Sequence, residues 1–283
     1  MVKSIWTAEP DELLRVRPGF RLADVDPTAT PGLADEDDAK KELERVHDEL
    51  GDLQERLFAE SRFGGTRKVL LVLQAMDTAG KGGIIRHVVG GVDPQGVRIH
   101  AFKAPTDEEK QHDFLWRIRA QLPPAGLIGV FDRSHYEDVL IHRVRGFSPP
   151  EVVEERYGLI TEFERELVAD DTTVIKVMLH IGADEQKARL QERLDRPDKN
   201  WKYNPGDLDE RALWPAYMEA YQLALERTST DAAPWYVVPA DHKWYARSAV
   251  QRLLLGALRG LDPQWPAADF DVAAEKARLA SSD

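Results

Sequence analysis

The stretch Lys68–His87, KVLLVLQAMDTAGKGGIIRH, constrains the chain more than any other. Val69 to Gln74 are apolar except for the last, which is the length and character of a buried strand. The sequence then turns small and polar and becomes helix-like again at Ile84 and Ile85. A short apolar run, a Gly-Lys-Gly-Gly turn and a helix make the layout of a phosphate-binding loop at a strand's carboxyl end. Backbone N–H groups freed at a helix start attract anions. Lys81 adds a full charge, and Ala79, Gly80, Gly82 and Gly83 let the backbone approach phosphate oxygens closely. The match to G-x-x-x-x-G-K-[ST] is incomplete. Ala75 stands at the first Gly, Gly82 stands where Ser or Thr would hold a metal, and Asp77 lies inside the loop. On this stretch alone, a Gly-rich strand-to-helix turn with a solvated Lys81 is the competing reading.

The remaining chain alternates strands and helices. An alternating run at Val97–Phe102 and apolar runs at Leu127–Phe131, Thr172–Ile181 and Trp235–Val238 predict four further strands. Helical patterns fall at Asp37–Arg62, Asp107–Gln121, Pro150–Val168, Asp184–Leu194, Asp209–Glu226 and Trp244–Leu261. Because the strands are on the whole apolar runs rather than strict alternators, a parallel sheet covered on both faces is expected, an α/β fold. Residues 1–36 carry four prolines and an acidic cluster and read as an arm without regular structure of its own. Leu43, Val46, Leu50, Leu53 and Leu57 form one stripe on the first helix, to be spent on the core or on a second subunit. The formal net charge of −12 argues against general nucleic-acid or membrane-surface binding. Any polyanion must meet a local basic patch. With no cysteine there is no disulfide frame or thiolate chemistry. Residues 1–16 lack the apolar core of a signal peptide, and no run reaches membrane-span length, so a cytoplasmic location is expected.

Two further stretches carry chemistry. In Gly129–Leu140, GVFDRSHYEDVL, an apolar strand ends in Asp132, Arg133, Ser134, His135, Tyr136, Glu137 and Asp138. Helix capping explains Asp132 or Ser134 alone but not this concentration, and functional loops gather at the carboxyl ends of parallel strands. In Arg189–Tyr203, Arg189, Arg193 and Arg196 are spaced to share a helix face, with Lys199 and Lys202 beyond. They read either as a solvated face paired with Glu192 and Asp195 or as a lid whose cations clamp a transferring phosphoryl group.

Taken together, the blocks MDTAGKGG (76–83), FKAP and HDFLWR (102–105, 112–117), DRSHYEDVL (132–140), RLDRPDKNWK (193–202) and DHKWYAR (241–247) resemble the type 2 polyphosphate kinases. The resemblance runs from about Asp38 to Leu261, and the SHYEDVL form is similar to the branch that accepts both AMP and ADP. It implies a three-layer α/β/α P-loop kinase fold, with a central parallel five-stranded sheet and a helical lid at about 190–215. The kinase domain would span 37–265, with an arm at 1–36 and a tail at 266–283. It also implies phosphoryl transfer between inorganic polyphosphate and adenine nucleotides, with guanine nucleotides left open, in a homo-oligomer using Mg²⁺. Ala75 replaces a glycine usual in the family, and Asp132 stands where asparagine is frequent.

Phosphoryl transfer needs positioning and charge neutralisation more than covalent chemistry. The expected catalytic set is Asp77, Lys81, Arg133 and Glu137. Asp77 and Asp132 are the expected metal ligands. Ala79, Gly80, Gly82 and Gly83 of the loop, with Lys103, Arg117, Arg193 and Arg196, are the expected phosphate and nucleotide contacts. An ATP-dependent nucleotide kinase of the same fold and a non-catalytic nucleotide-binding scaffold are the alternatives. His112, His135 and His142 lack the close pairing of a zinc motif. Trp116, Trp201, Trp235 and Trp244 read as packing, with one of them available to line a base pocket.

Overall fold

A computed structural model describes residues 5–282. Five strands, β1 (Lys68–Ala75), β2 (Val97–Ala101), β3 (Ile128–Asp132), β4 (Thr172–His180) and β5 (Trp235–Pro239), form one sheet in the order β2-β3-β1-β4-β5. Every pairing is parallel. The helices are α1 (Pro10–Leu14), α2 (Glu36–Ser61), α3 (Lys81–His87), α4 (Trp116–Arg119), α5 (Ile141–Arg145) and α6 (Pro150–Ala169). After them come α7 (Ala183–Asp195), α8 (Gly206–Arg211), α9 (Trp214–Thr228), α10 (Lys243–Leu261) and α11 (Val272–Ala280). The expected three-layer α/β/α architecture is what forms. β1 lies at the centre, and its residues from Val69 to Leu73 are fully buried. The phosphate-loop sequence therefore leaves the middle of the sheet, flanked by the tips of β3 and β4.

The leucine stripe of α2 is spent on the core: Val46, Leu50, Leu53 and Leu57 are buried. The helix starts at Asp35, whose side chain accepts from the N–H groups of Asp37 and Asp38. α10 lies along it. Gln251 Nε2 donates to Leu43 O at 3.0 Å, and Arg259 forks onto Glu49. Instead of Leu43, the buried neighbour at the start of the stripe is Glu42, charge-paired with Arg45 and Arg252.

Three local expectations change. The helix expected over Asp107–Gln121 is a 3₁₀ turn at Glu109–Gln111 followed by the short α4. Side chains compete with the backbone there: Asp113 accepts from Leu115 N, and Thr106 and Glu109 bond each other's N–H groups. The helix expected over Asp209–Glu226 is two helices. Pro215 has no N–H, and its ring opposes a carbonyl four residues earlier, at Arg211. The arm carries regular structure, namely α1 and a 3₁₀ turn at Leu22–Asp24. Trp6, Leu14, Val16, Leu22 and Leu33 bury against the body. Val16 N bonds Trp235 O at 2.8 Å beside β5, and Glu9 holds Arg252 of α10.

Candidate active site

The loop after Ala75 bends sharply. Thr78 has φ 67°, in the left-handed region that a Cβ disfavours, and Gly80 has φ 123°, which is accessible to glycine. Lys81 opens α3, so the N–H groups of Lys81 and Gly82 have no intrahelical acceptor. α3 is only two turns long, and its dipole is correspondingly small. Full charges must supply most of the field. Lys81 Nζ lies 3.4 Å from Ala75 O and 4.0 Å from Asp132 Oδ1.

Asp132 is in register with Leu73 on β1, so the tip of β3 stands beside the loop. Arg133 N donates to Leu73 O at 3.0 Å, extending the ladder by one bond. The chain then reverses with Arg133 at φ 64°. Ser134 Oγ accepts from Tyr136 N and caps a 3₁₀ turn over His135–Asp138. Two left-handed non-glycine residues, Thr78 and Arg133, thus face one site, where backbone strain commonly collects. Arg133 Nη2 meets Asp77 Oδ1 at 3.1 Å. Burial opposes its charge, but the carboxylates of Glu137, Asp77 and Asp132 outweigh that and hold it protonated. Burial pushes the Glu137 carboxyl up from its ordinary value, against the pull of Arg133, Lys81 and a hydrogen bond from Gln74.

Beneath this turn lies a fully buried polar network. Lys176, in the middle of β4, donates to Glu164 Oε2 at 2.5 Å, Tyr136 OH at 3.0 Å and Thr228 O at 2.7 Å. Tyr136 OH is 2.8 Å from Glu164 Oε1, and His135 Nε2 is 3.3 Å from the same oxygen. His135 and Tyr136 are therefore roots of the turn. The sequence signal for this network is Lys176 itself, a lone cation inside an apolar strand.

Asp77 and Arg133 form a wall between two spaces. On one side is an open cleft of about 940 Å³. Nine cations line it: Lys81, Arg86, Lys103, Arg133, Arg193, Lys199, Lys202, Lys243 and Arg247, against only Asp77 and Asp132. Burial and the neighbouring Arg189 hold the Lys243 ammonium below its ordinary pKa. Burial, Arg189 and Arg86 do the same to Arg247, and His87 is lowered by burial, Arg247 and Arg86. On the other side is a smaller cavity of about 210 Å³, lined by Glu137, Asn204, Asp207, Glu210, Tyr217 and Tyr221 among others. Burial and Asp77 push the Asp207 carboxyl up.

Among the residues expected from sequence, Asp77, Ala79, Gly80, Lys81, Gly82, Gly83, Lys103, Asp132, Arg133 and Arg193 line the large cleft, and Glu137 lines the small cavity. Arg117 lies behind the cleft. It donates to Lys103 O at 2.8 Å and stands over the Phe102 ring. Arg196 is held outside by Asp198 and Glu192. Arg189 does not share a phosphate-facing surface with Arg193. Its five N–H groups go to Glu185, Thr78 O, Ala79 O, Ala240 O and Asp241 O, leaving no donor for an anion. Among the tryptophans, Trp201 lines the cleft, whereas Trp235 is core. Arg86, Lys243 and Arg247 were not singled out from sequence, although the last two lie in the DHKWYAR block. Asp77 and Asp132 present oxygen donors at the tips of adjacent strands, a set that suits a hard cation sharing its coordination with phosphates. No cluster of three or more acidic, His or Cys ligands occurs among the described residues.

A central parallel strand, a Gly-Lys-Gly-Gly loop and a cationic cleft define a P-loop protein of the kinase class. The family model for Polyphosphate kinase 2 (PPK2) matches residues 33–266. The chain belongs to that family. It is similar to the AMP/ADP-polyphosphate phosphotransferase of Meiothermus ruber, 48% identical over 255 residues that cover 89% of this chain and 94% of the relative. The ADP-polyphosphate phosphotransferase of Rhodopseudomonas palustris is 43% identical over 77% of this chain and 78% of its own length. The crystal structure of Polyphosphate Kinase 2 from Arthrobacter aurescens TC1 superposes with a TM-score of 0.97 at 59% identity, covering 100% of both chains.

Proposed function

We propose that this protein transfers a phosphoryl group between inorganic polyphosphate and a nucleotide, forming ADP from AMP and ATP from ADP. The observation that carries this reading is the cleft: nine cations beside the phosphate loop in a chain of net charge −12, two of them held below their ordinary pKa. Arg193 pairs with Asp207, Lys199 with Glu192 and Arg133 with Asp77, and the excess of positive charge that remains matches a linear polyanion better than a single triphosphate. The names of the relatives point to the same donor.

In this reading Lys81, Arg193, Lys199, Lys202, Lys243 and Arg247 hold successive donor phosphates. Arg133, fixed by Asp77, neutralises charge on the group in transit. The acceptor nucleotide lies in the smaller cavity with its terminal phosphate toward Arg133. Its phosphate oxygen is already anionic, so it bonds to phosphorus while the bridging P–O bond breaks, and no general base is required. Asp77 and Asp132 would hold Mg²⁺, which supplies further neutralisation of phosphate charge when bound. Glu137 and Tyr217 orient groups in the cavity. Residues 37–265 act as the kinase domain, with 190–215 as its lid, the 1–36 arm as a brace and 266–283 as a tail. We place the protein in the cytoplasm as a homo-oligomer. No helix among the described residues is long and apolar enough to cross a membrane.

The test is to incubate the protein with polyphosphate and Mg²⁺ and either AMP or ADP, or GMP or GDP for the guanine arm, and to resolve the products. ADP and ATP should appear only when polyphosphate is present. Transfer to AMP from ATP alone, with no response to polyphosphate, overturns the reading.

A further inference from the structure

Two buried side chains of α7 grip the phosphate loop by its carbonyl oxygens. Gln186 Nε2 donates to Asp77 O at 3.1 Å, and Arg189 Nη1 donates to Thr78 O and Ala79 O at 3.0 Å each. The exposures of these side chains' residues are 1% and 5%, so neither competes with water for these bonds. A trans peptide points its C=O and the following N–H in opposite directions. Drawing three successive carbonyls toward α7 therefore turns the N–H groups of Thr78, Ala79 and Gly80 the other way, toward the cleft those residues line. Ala79 N is used within the loop by Met76 O at 3.3 Å, which leaves those of Thr78 and Gly80 to present. The same grip holds Thr78 in its left-handed conformation. Arg189 fastens the loop in turn to the end of β5, through Ala240 O and Asp241 O. Gln186 Oε1 accepts from Arg211 of α8 at 3.0 Å.

We propose that Gln186 and Arg189 are positioning residues for the donor phosphates: without touching substrate, they set the loop's N–H groups into the cleft. This rests on the phosphoryl-transfer reading above. The experiment compares wild type, Arg189→Ala, Arg189→Lys and Gln186→Met. Polyphosphate is varied at saturating ADP, then ADP at saturating polyphosphate, with and without guanidinium chloride in the tens of millimolar. Arg189→Ala should lose about 100-fold in kcat/KM for polyphosphate, the scale of a small misplacement, while the KM for ADP is unchanged. Guanidinium should restore part of that loss, whereas a merely destabilised variant would be weakened further by a denaturant. Arg189→Lys should be intermediate. Equal rises in the KM values of both substrates with no guanidinium response, or wild-type kinetics, overturn the proposal. If Arg189→Ala does not fold, Gln186→Met decides by the same split. Calorimetric binding of tripolyphosphate reads the anchor without turnover. A wild type that binds tripolyphosphate but transfers nothing therefore overturns the functional reading, while the variant-to-wild-type binding ratio still decides the anchor.

Discussion

Arg133 Nη2 lies 3.1 Å from Asp77 Oδ1, an ion pair that joins the tips of β3 and β1 and walls the large cationic cleft from the small cavity. Asp77→Asn keeps an oxygen facing Arg133 but removes the charge. Turnover is expected to fall by about 10²–10³, as when one preorganised electrostatic contact is lost. The Mg²⁺ concentration giving half-maximal rate should rise. Steady-state rates across a Mg²⁺ titration check this, and near-normal turnover with an unchanged Mg²⁺ requirement refutes it.

Lys243 lines the cleft, and its ammonium stays 4.0 Å from Glu192. Lys243→Ala should raise the KM for polyphosphate about fivefold, equivalent to about 1 kcal/mol for one charge near water, with little change in kcat. Added NaCl should raise the same KM in wild type, and less steeply in the variant. A KM insensitive to both changes would remove this residue from the donor track.

The Lys176–Glu164 pair is a stability element. Burial lowers the Lys176 pKa, while Lys176 and His135 outweigh burial to hold Glu164 ionised. Lys176→Met leaves a buried carboxylate without its cation and should cost about 3–5 kcal/mol in urea unfolding. Lys176→Met with Glu164→Leu should recover much of that loss. A double variant less stable than the single one would contradict the account.

Arg252 donates to Glu9 at 2.8 and 2.7 Å, and that bond chiefly holds the Glu9 carboxyl below its ordinary value. A carboxyl depressed in the folded state stabilises above its unfolded pKa, about 4.3, and loses that contribution as pH falls through the folded value. Wild type should exceed Glu9→Gln by less than about 1 kcal/mol at neutral pH, because the pair is partly exposed. The difference should shrink as pH falls below the unfolded value of about 4.3 and vanish once pH is below the depressed folded value. Trypsin at neutral pH should cut the variant faster after Arg15, Arg17 or Arg21. A stability gap independent of pH would exclude this role.

β1, β3, β4 and β5 were legible because each is an apolar run ended by small or polar residues and buried on both faces, whereas the edge strand β2, VRIHA, shows only alternation and buries none of its residues. The loop and the tip of β3 were legible for the same reason: charges crowd where apolar sequence stops. Arg189 was not. Helical spacing places it with Arg193, but the face it occupies turns inward, and only tertiary contact shows five carbonyl and carboxylate acceptors waiting there. The break between α8 and α9 was signalled by Pro215, yet the surrounding helix formers masked it. The helix expected over Asp107–Gln121 failed because Thr106 and Asp113 bond nearby N–H groups, a local competition that periodicity does not register.

The wall of one aspartate and one arginine has the same two residues on both its faces. A partition of that kind has no intrinsic forward side. Whichever space supplies the more energetic phosphate drives the exchange, so the protein would charge a nucleotide pool when long chains are plentiful and rebuild chains when triphosphates accumulate. The fold sets the rate of that exchange, and the cell's reserves set its sign.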